Sequence, residues 1–294
     1  VEGLVRQGDR VRVLDDFSTG KRANLAGVAD KIEVIQGSIV DQHTVADAMK
    51  GVERVYHLAA LPSVQRSVED PLTTHGVCAT GTLRVLEAAR HAGVKRVVYA
   101  ASSSAYGDAP GAVRVEGDPL APLSPYAAAK LAGEHYCKAF TTSYGLETVR
   151  LRFFNIFGPR QDAKSPYSGV IALFIAAMRE GRQPMIYGDG LQSRDFTYVT
   201  NAVQVVLKAG QAPAGVGNVY NIGQGGSINL LQLVEALNQI LGKNLVPVHG
   251  PARIGDVRHS QADISRAKAD LGYAPDVSFQ EGLRRTVEAM AGKP

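Results

Sequence analysis

A chain of 294 residues exceeds the roughly 100–200 typical of one domain, so one large or two ordinary domains are expected. With 45% hydrophobic and 20% charged residues the balance is globular, which excludes a disordered chain. The net charge of +4 arises from 32 basic and 28 acidic residues with no basic run, so neither nucleic acid nor a membrane surface is an expected partner.

Residues 1–8 read as the tail of an amphipathic helix, with Val1, Leu4 and Val5 on one face and Gly8 as the stop. A chain that opens on a helix tail is expected to have a further segment upstream. Apolar strand patterns follow at 10–15, 31–36, 54–58, 96–101 and 147–153, alternating with helical patterns at 42–49, 74–91 and 125–144. This alternation predicts a doubly wound parallel sheet, an α/β fold of Rossmann type that binds ligands at the carboxyl ends of its strands. Beyond residue 154 the pattern loosens into helices at 170–179, 199–209, 229–241 and 284–290 and a strand at 219–222. A nucleotide-binding domain over 1–154 and, mainly, a smaller α/β substrate lobe over 155–294 are therefore expected. Cys78 and Cys137 cannot form a disulfide framework, no zinc-ligand spacing is present, and no apolar run reaches the ~18 residues of a membrane span. A soluble protein of a reducing compartment, the cytoplasm, is expected, without a metal.

Three features carry chemistry. The strand ending in Asp15 and Asp16 places acids where such sheets hydrogen-bond the adenosine ribose, which favours NAD over NADP. The same acids could merely cap a turn, and the nearby Lys21 and Arg22 keep NADP open. Leu58, Ala59 and Ala60 end another strand with small side chains that admit a pyrophosphate; His57 before them reads as a core histidine. Tyr126 and Lys130, spaced i, i+4 behind Ser124-Pro125, fall on one helix face, downstream of a strand that ends in Ser102, Ser103 and Ser104. A phenol of pKa ~10 needs a nearby cation to act as a base at neutral pH, and a serine hydroxyl can hold the substrate oxygen.

With LDDFSTG (14–20), HLAAL (57–61), ATGTLRVLEAA (79–89), SSSAYG (102–107), SPYAAAK (124–130), LRFFNIFGPRQ (151–161), SRDFTYV (193–199) and GDVRHSQADIS (255–265), the chain resembles the extended short-chain dehydrogenase/reductases. Within them it is similar to the NAD-dependent sugar-nucleotide epimerase/dehydratase group, above all the UDP-sugar 4-epimerases. The resemblance implies that Asp15 and Asp16 hold the adenosine ribose, with Ser18, Thr19 and Gly20 in the loop after them. Ser38 and Ile39 would lie beside the adenine, and Leu58, Ala59 and Ala60 along the pyrophosphate and nicotinamide. It implies Tyr126 as base, Lys130 on the nicotinamide ribose, Ser102 or Ser103 on the sugar hydroxyl and Phe153 against the nicotinamide. Asn155, Arg194, Arg253 and Asp256 would bind the UDP moiety, the guanidinium forks suiting phosphate oxygens.

The chain departs from that pattern in three places. The opening strand and G-x-x-G-x-x-G loop are absent, so roughly 20 further residues are expected upstream in the gene. Cys78 replaces a usual Asn, and Ser38 a usual acid. The implied reaction is 4-epimerisation of a UDP-hexose through a 4-keto sugar. Small Ser260 beside the sugar's C2 substituent extends it to UDP-GlcNAc/UDP-GalNAc. The alternatives are a dehydratase or decarboxylase, disfavoured because Ser103-Ser104-Ala105 brings no acid, or a non-catalytic nucleotide-sugar-binding protein. A homodimer through the helices at 74–91 and 125–144 is also implied.

Overall fold

The computed structural model describes residues 1–108, 111–162, 169–252 and 257–291. The first half runs α1 (Glu2–Arg6), β1 (Val11–Asp15), β2 (Ile32–Gln36), α2 (Gln42–Ala48), β3 (Arg54–His57), α3 (Val64–Glu69), α4 (Pro71–His75), α5 (Thr82–His91), β4 (Arg96–Ser102), β5 (Val113–Arg114), α6 (Pro125–Tyr144) and β6 (Glu147–Phe153). The second half continues through β7 (Asn155–Phe157), α7 (Val170–Arg179), β8 (Met185–Tyr187), β9 (Ser193–Arg194), β10 (Phe196–Tyr198), α8 (Val199–Ala209) and β11 (Val219–Ile222). It ends with β12 (Ile228–Asn229), α9 (Leu230–Leu241), β13 (Val248–Gly250), β14 (His259–Ala262), α10 (Ser265–Leu271) and α11 (Phe279–Ala291).

The main sheet is parallel, in the order β11-β6-β4-β3, with β1 and β2 forming a separate parallel pair. No ladder joins β1 to β3 among the described residues. Helices cover both faces, as the apolar strand runs predicted. On one side Val85, Leu86 and Phe140 of α5 and α6 pack with Val45 of α2 on Val97 and Tyr99. On the other, Val205 of α8 and Leu271 of α10 pack on Val98, Leu151 and Ile222. A third core, with Phe157, Phe174, Phe196, Leu233 and Phe279, belongs to the smaller lobe.

Two differences from the sequence reading have local causes. The predicted helix over 74–91 is interrupted: α4 starts on the Asp70 cap with Pro71 at its first turn, then a π-helical turn at Gly76–Gly81 leads into α5. The main sheet also draws β11 from residues 219–222, and α8 and α10 cover its face, so the chain after residue 154 contributes to both lobes. No helix among the described residues is long and apolar enough to cross a membrane, and none of their His, Cys, Asp and Glu side chains cluster as a metal site.

Candidate active site

The site is built on α6. Ser124 caps it by accepting from the Ala127 amide at 3.1 Å, Pro125 fixes its first turn, and Gly145 at φ 73° ends it in the left-handed conformation that glycine adopts without strain. Tyr126, Lys130 and Glu134 follow one another up its inner face. Glu134 anchors the helix to β6 through a buried two-pronged pair with Arg152, at 2.6 and 2.9 Å. Arg152 also donates to the Tyr106 hydroxyl at 2.8 Å, which donates to Asn221 at 2.7 Å. This brace was missed from sequence; its one signal is an arginine alternating with core residues in Val149-Arg150-Leu151-Arg152.

Ser102, at the carboxyl end of β4, lies beside the Tyr126 phenol and favours its ionised form. Ser103 opens the 3-10 turn that follows, with Ser102 as its cap. Ser102 also accepts from the Ser104 amide at 3.2 Å and shares a hydrogen bond with its hydroxyl at 2.8 Å, which fixes the rotamer. Burial pushes the Tyr126 phenol up to about 12; neighbouring Ser102 pulls it partly back, and Cys78 adds to the rise. Burial likewise pushes Lys130 down to about 8, opposed by the nearby Cys78 and Cys137 thiols. The ammonium lies against the Tyr99 ring, 4.3 Å from its centroid. Burial thus outweighs the Ser102 effect on the phenol, and lowering it toward neutral pH calls for positive charge beside it. Cys78 is fully buried in the π turn, its sulfur accepting from the Leu61 amide at 3.5 Å. It packs with Leu61 and Ala129, with Ala60 and Tyr126 against them. His57 is a core histidine, as read from sequence, bonded to Thr82 at 2.9 Å.

The donor set at the sheet's carboxyl edge fits NAD. Asp15 and Asp16 end β1 and accept from the amides of Phe17 and Ser18 at 2.7 and 2.8 Å, each leaving a second carboxylate oxygen. The loop through Ser18 and Thr19 returns so closely that a Cβ on Gly20 would sit 3.1 Å from both Asp15 oxygens. Leu58, 55% exposed, continues the chain past the carboxyl end of β3 into Ala59 and Ala60. Buried Ile39 packs under Gly81, and the Ser38 hydroxyl accepts from the Val40 amide at 3.3 Å. Lys21 is paired with Asp162 at 2.6 Å, and Arg22 lies over the Phe17 ring and donates to Gln36 at 2.5 Å. Both cations that left NADP open thus have partners other than the ribose acids.

On the substrate side, Phe153 stands in register with Ser102, and Asn155 opens β7, its amide donating to the Asp195 carbonyl at 3.0 Å. Arg194 and Ser260 are paired across β9 and β14. The buried Asp195 carboxylate collects the amides of Gln224, Gly225 and Ala262 at 2.6, 3.0 and 3.2 Å, tying its own turn to the loop after β11 and to the end of β14. Asp195 too escaped sequence reasoning. Arg253 and Asp256 lie outside the described residues.

A family model described as "NAD dependent epimerase/dehydratase family" matches residues 1–223. The chain is 40% identical to a UDP-glucose 4-epimerase of Mycolicibacterium smegmatis, over 100% of this chain and 94% of that relative. Among solved structures, a Thermotoga maritima UDP-glucose 4-epimerase with UDP-glucose superposes with a TM-score of 0.94 at 36% identity, covering 99% of this chain and 93% of that one. A Thermus thermophilus UDP-glucose 4-epimerase in complex with NAD gives 0.92 at 35% identity, covering 100% and 94%.

Proposed function

The chain belongs to the NAD-dependent epimerase/dehydratase family, and from that premise we propose that it interconverts the C4 epimers of UDP-hexoses through a 4-keto sugar. The observation that carries the assignment of roles is the placement of Tyr126 beside Ser102 at the end of β4, one helical turn from a buried Lys130. Tyr126 takes the proton from the sugar O4 and returns it, while Ser102 holds the same oxygen. NAD, when bound, supplies the hydride acceptor and donor at C4 and a positive charge beside the phenol. Lys130 would hold the nicotinamide ribose, Asp15 and Asp16 the adenosine ribose, and Leu58, Ala59 and Ala60 would line the cofactor. Phe153 would contact the nicotinamide, and Asn155, Arg194, Arg253 and Asp256 would bind the UDP moiety. The turn Ser103–Tyr106 carries no acid beside Ser102, which favours epimerisation over the dehydratase chemistry that needs a further proton donor.

Two finer readings accompany it. Ser260, paired with Arg194 across β9 and β14, is the small residue beside the sugar's C2 substituent in this reading, which takes UDP-GlcNAc and UDP-GalNAc as substrates as well. The protein is a cytoplasmic homodimer through the helices at 74–91 and 125–144. In support, α6 exposes Tyr136 and Tyr144 to solvent. Free, buried Cys78 and Cys137 suit a reducing compartment. The assay is conversion of UDP-glucose to UDP-galactose followed by the anomeric proton signals, with no net consumption of nicotinamide. A 4-keto-6-deoxy product would assign a dehydratase instead.

A further inference from the structure

Lys130 is only 3% exposed, yet it forms no ion pair with a carboxylate among the described residues. Tyr99, fully buried in the middle of β4, meets this lysine at both ends. The Lys130 ammonium lies 4.3 Å from the Tyr99 ring centroid, inside the roughly 6 Å within which a ring face attracts a cation. The Tyr99 hydroxyl donates to the Lys130 backbone carbonyl at 3.1 Å. Glycine is a poor residue for a helix interior, yet Gly133 occupies the next turn of α6. A Cβ there would overlap the Tyr99 hydroxyl oxygen and come within 2.8 Å of the Tyr99 ring carbon that bears it.

We propose that Tyr99 is a positioning residue of the site: its ring face carries the Lys130 ammonium, its hydroxyl fixes the Lys130 backbone, and Gly133 is the space that admits it. The proposal rests on the role given to Lys130 above. The contact supplies attraction for the charge where burial opposes it, without the carboxylate that would compete for the ammonium. Other groups face the lysine too: His57 from β3, and the thiols of Cys78 from the π turn and Cys137 from α6 itself. His57 stays neutral, pushed down to about 3, and the Tyr99 phenol is held well above its ordinary range by burial. The ring therefore presents a neutral π face to the ammonium throughout the working pH range.

The test uses the full chain with lysine labelled in its side-chain carbons, the Lys130 signal being assigned from its loss in Lys130→Met. Wild type should show a lysine ε-methylene signal displaced by a ring current and titrating with a midpoint near 8. Tyr99→Phe should keep both, whereas Tyr99→Leu should lose the displacement and lower the midpoint by about 0.5–1.5 pH units. The alkaline limb of kcat for UDP-glucose should move down with it in Tyr99→Leu, and KM should change little. An unchanged lysine signal in Tyr99→Leu, or a Tyr99→Phe midpoint as low as that of Tyr99→Leu, would overturn the proposal. A second measurement needs no turnover. Gly133→Ala should lower Tm more in the wild-type background than in Tyr99→Phe, where the overlapping oxygen is gone; equal losses would refute the role of Gly133. If the lysine behaves as described but no UDP-hexose is epimerised, the platform stands and the assigned reaction is what fails.

Discussion

Replacing His57 by glutamine isolates the largest acid-side pH dependence that the active-site core imposes on stability. The His57 ring is 4% exposed, with Nε2 2.9 Å from the Thr82 hydroxyl. Thr82 has one hydroxyl hydrogen, and it goes to the Cys78 carbonyl at 2.7 Å, so Nε2 must be the donor and the neutral ring carries its proton there. Burial, and secondarily the Lys130 ammonium, push the ring down from 6.5 to about 3. Between these values the unfolded chain binds a proton that the folded chain does not, so stability falls as pH falls. At about 1.36 kcal/mol per pH unit, roughly 2 kcal/mol is lost by pH 5, with a ceiling of about 5 kcal/mol at pH 3. His57→Gln puts a non-titrating amide near the place of Nε2, and the carboxylates common to both proteins cancel in the comparison. Urea unfolding at pH 7.5, 6 and 5 should show wild type losing about 2 kcal/mol more than the variant between the first and last. Parallel profiles would refute the reasoning, because the ring would then titrate alike in both states.

Other outcomes follow from the same contacts. Arg152→Met strands the Glu134 carboxylate in the core and should cost about 3–5 kcal/mol in denaturant unfolding, much of it recovered when Glu134→Gln is added. Ser260→Tyr should suppress turnover of UDP-GlcNAc while largely sparing UDP-glucose; equal loss on both sugars would place the C2 boundary elsewhere. Light scattering at micromolar concentration should give twice the mass of the chain, and Tyr136→Glu on α6 should shift it toward the monomer.

The sequence was most legible where one local signal dominates. Ser124-Pro125 at one end and Gly145 at the other bracket the helix at 125–144 without ambiguity, and the β-branched runs at 96–101 and 147–153 mark buried parallel strands. Less was visible where structure depends on distant partners. The π turn at 76–81 shifts backbone hydrogen bonds without changing the apolar spacing, so it reads as plain helix. Strands of two or three residues, such as β9 and β12, are too short to show alternation and exist because they pair. The same holds at the site. The spacing of Tyr126 and Lys130 was plain, but the direction of the ammonium depends on Tyr99, 31 residues earlier in the chain. The Arg152–Glu134 brace and the Asp195 clasp likewise join residues whose meaning appears only once the strands are in register.

The central claim is that the Tyr126 hydroxyl moves the proton at the sugar O4. Tyr126→Phe removes that hydroxyl and leaves the ring packed among Ala60, Leu61, Cys78 and Ala129. The measurement is the rate of UDP-galactose formation from UDP-glucose by the variant, beside calorimetric affinity for UDP-glucose. The account predicts a loss of about 10²–10⁴-fold in rate with affinity changed by less than about threefold. A rate within about tenfold of wild type, a barrier change of only ~1.4 kcal/mol, would contradict it.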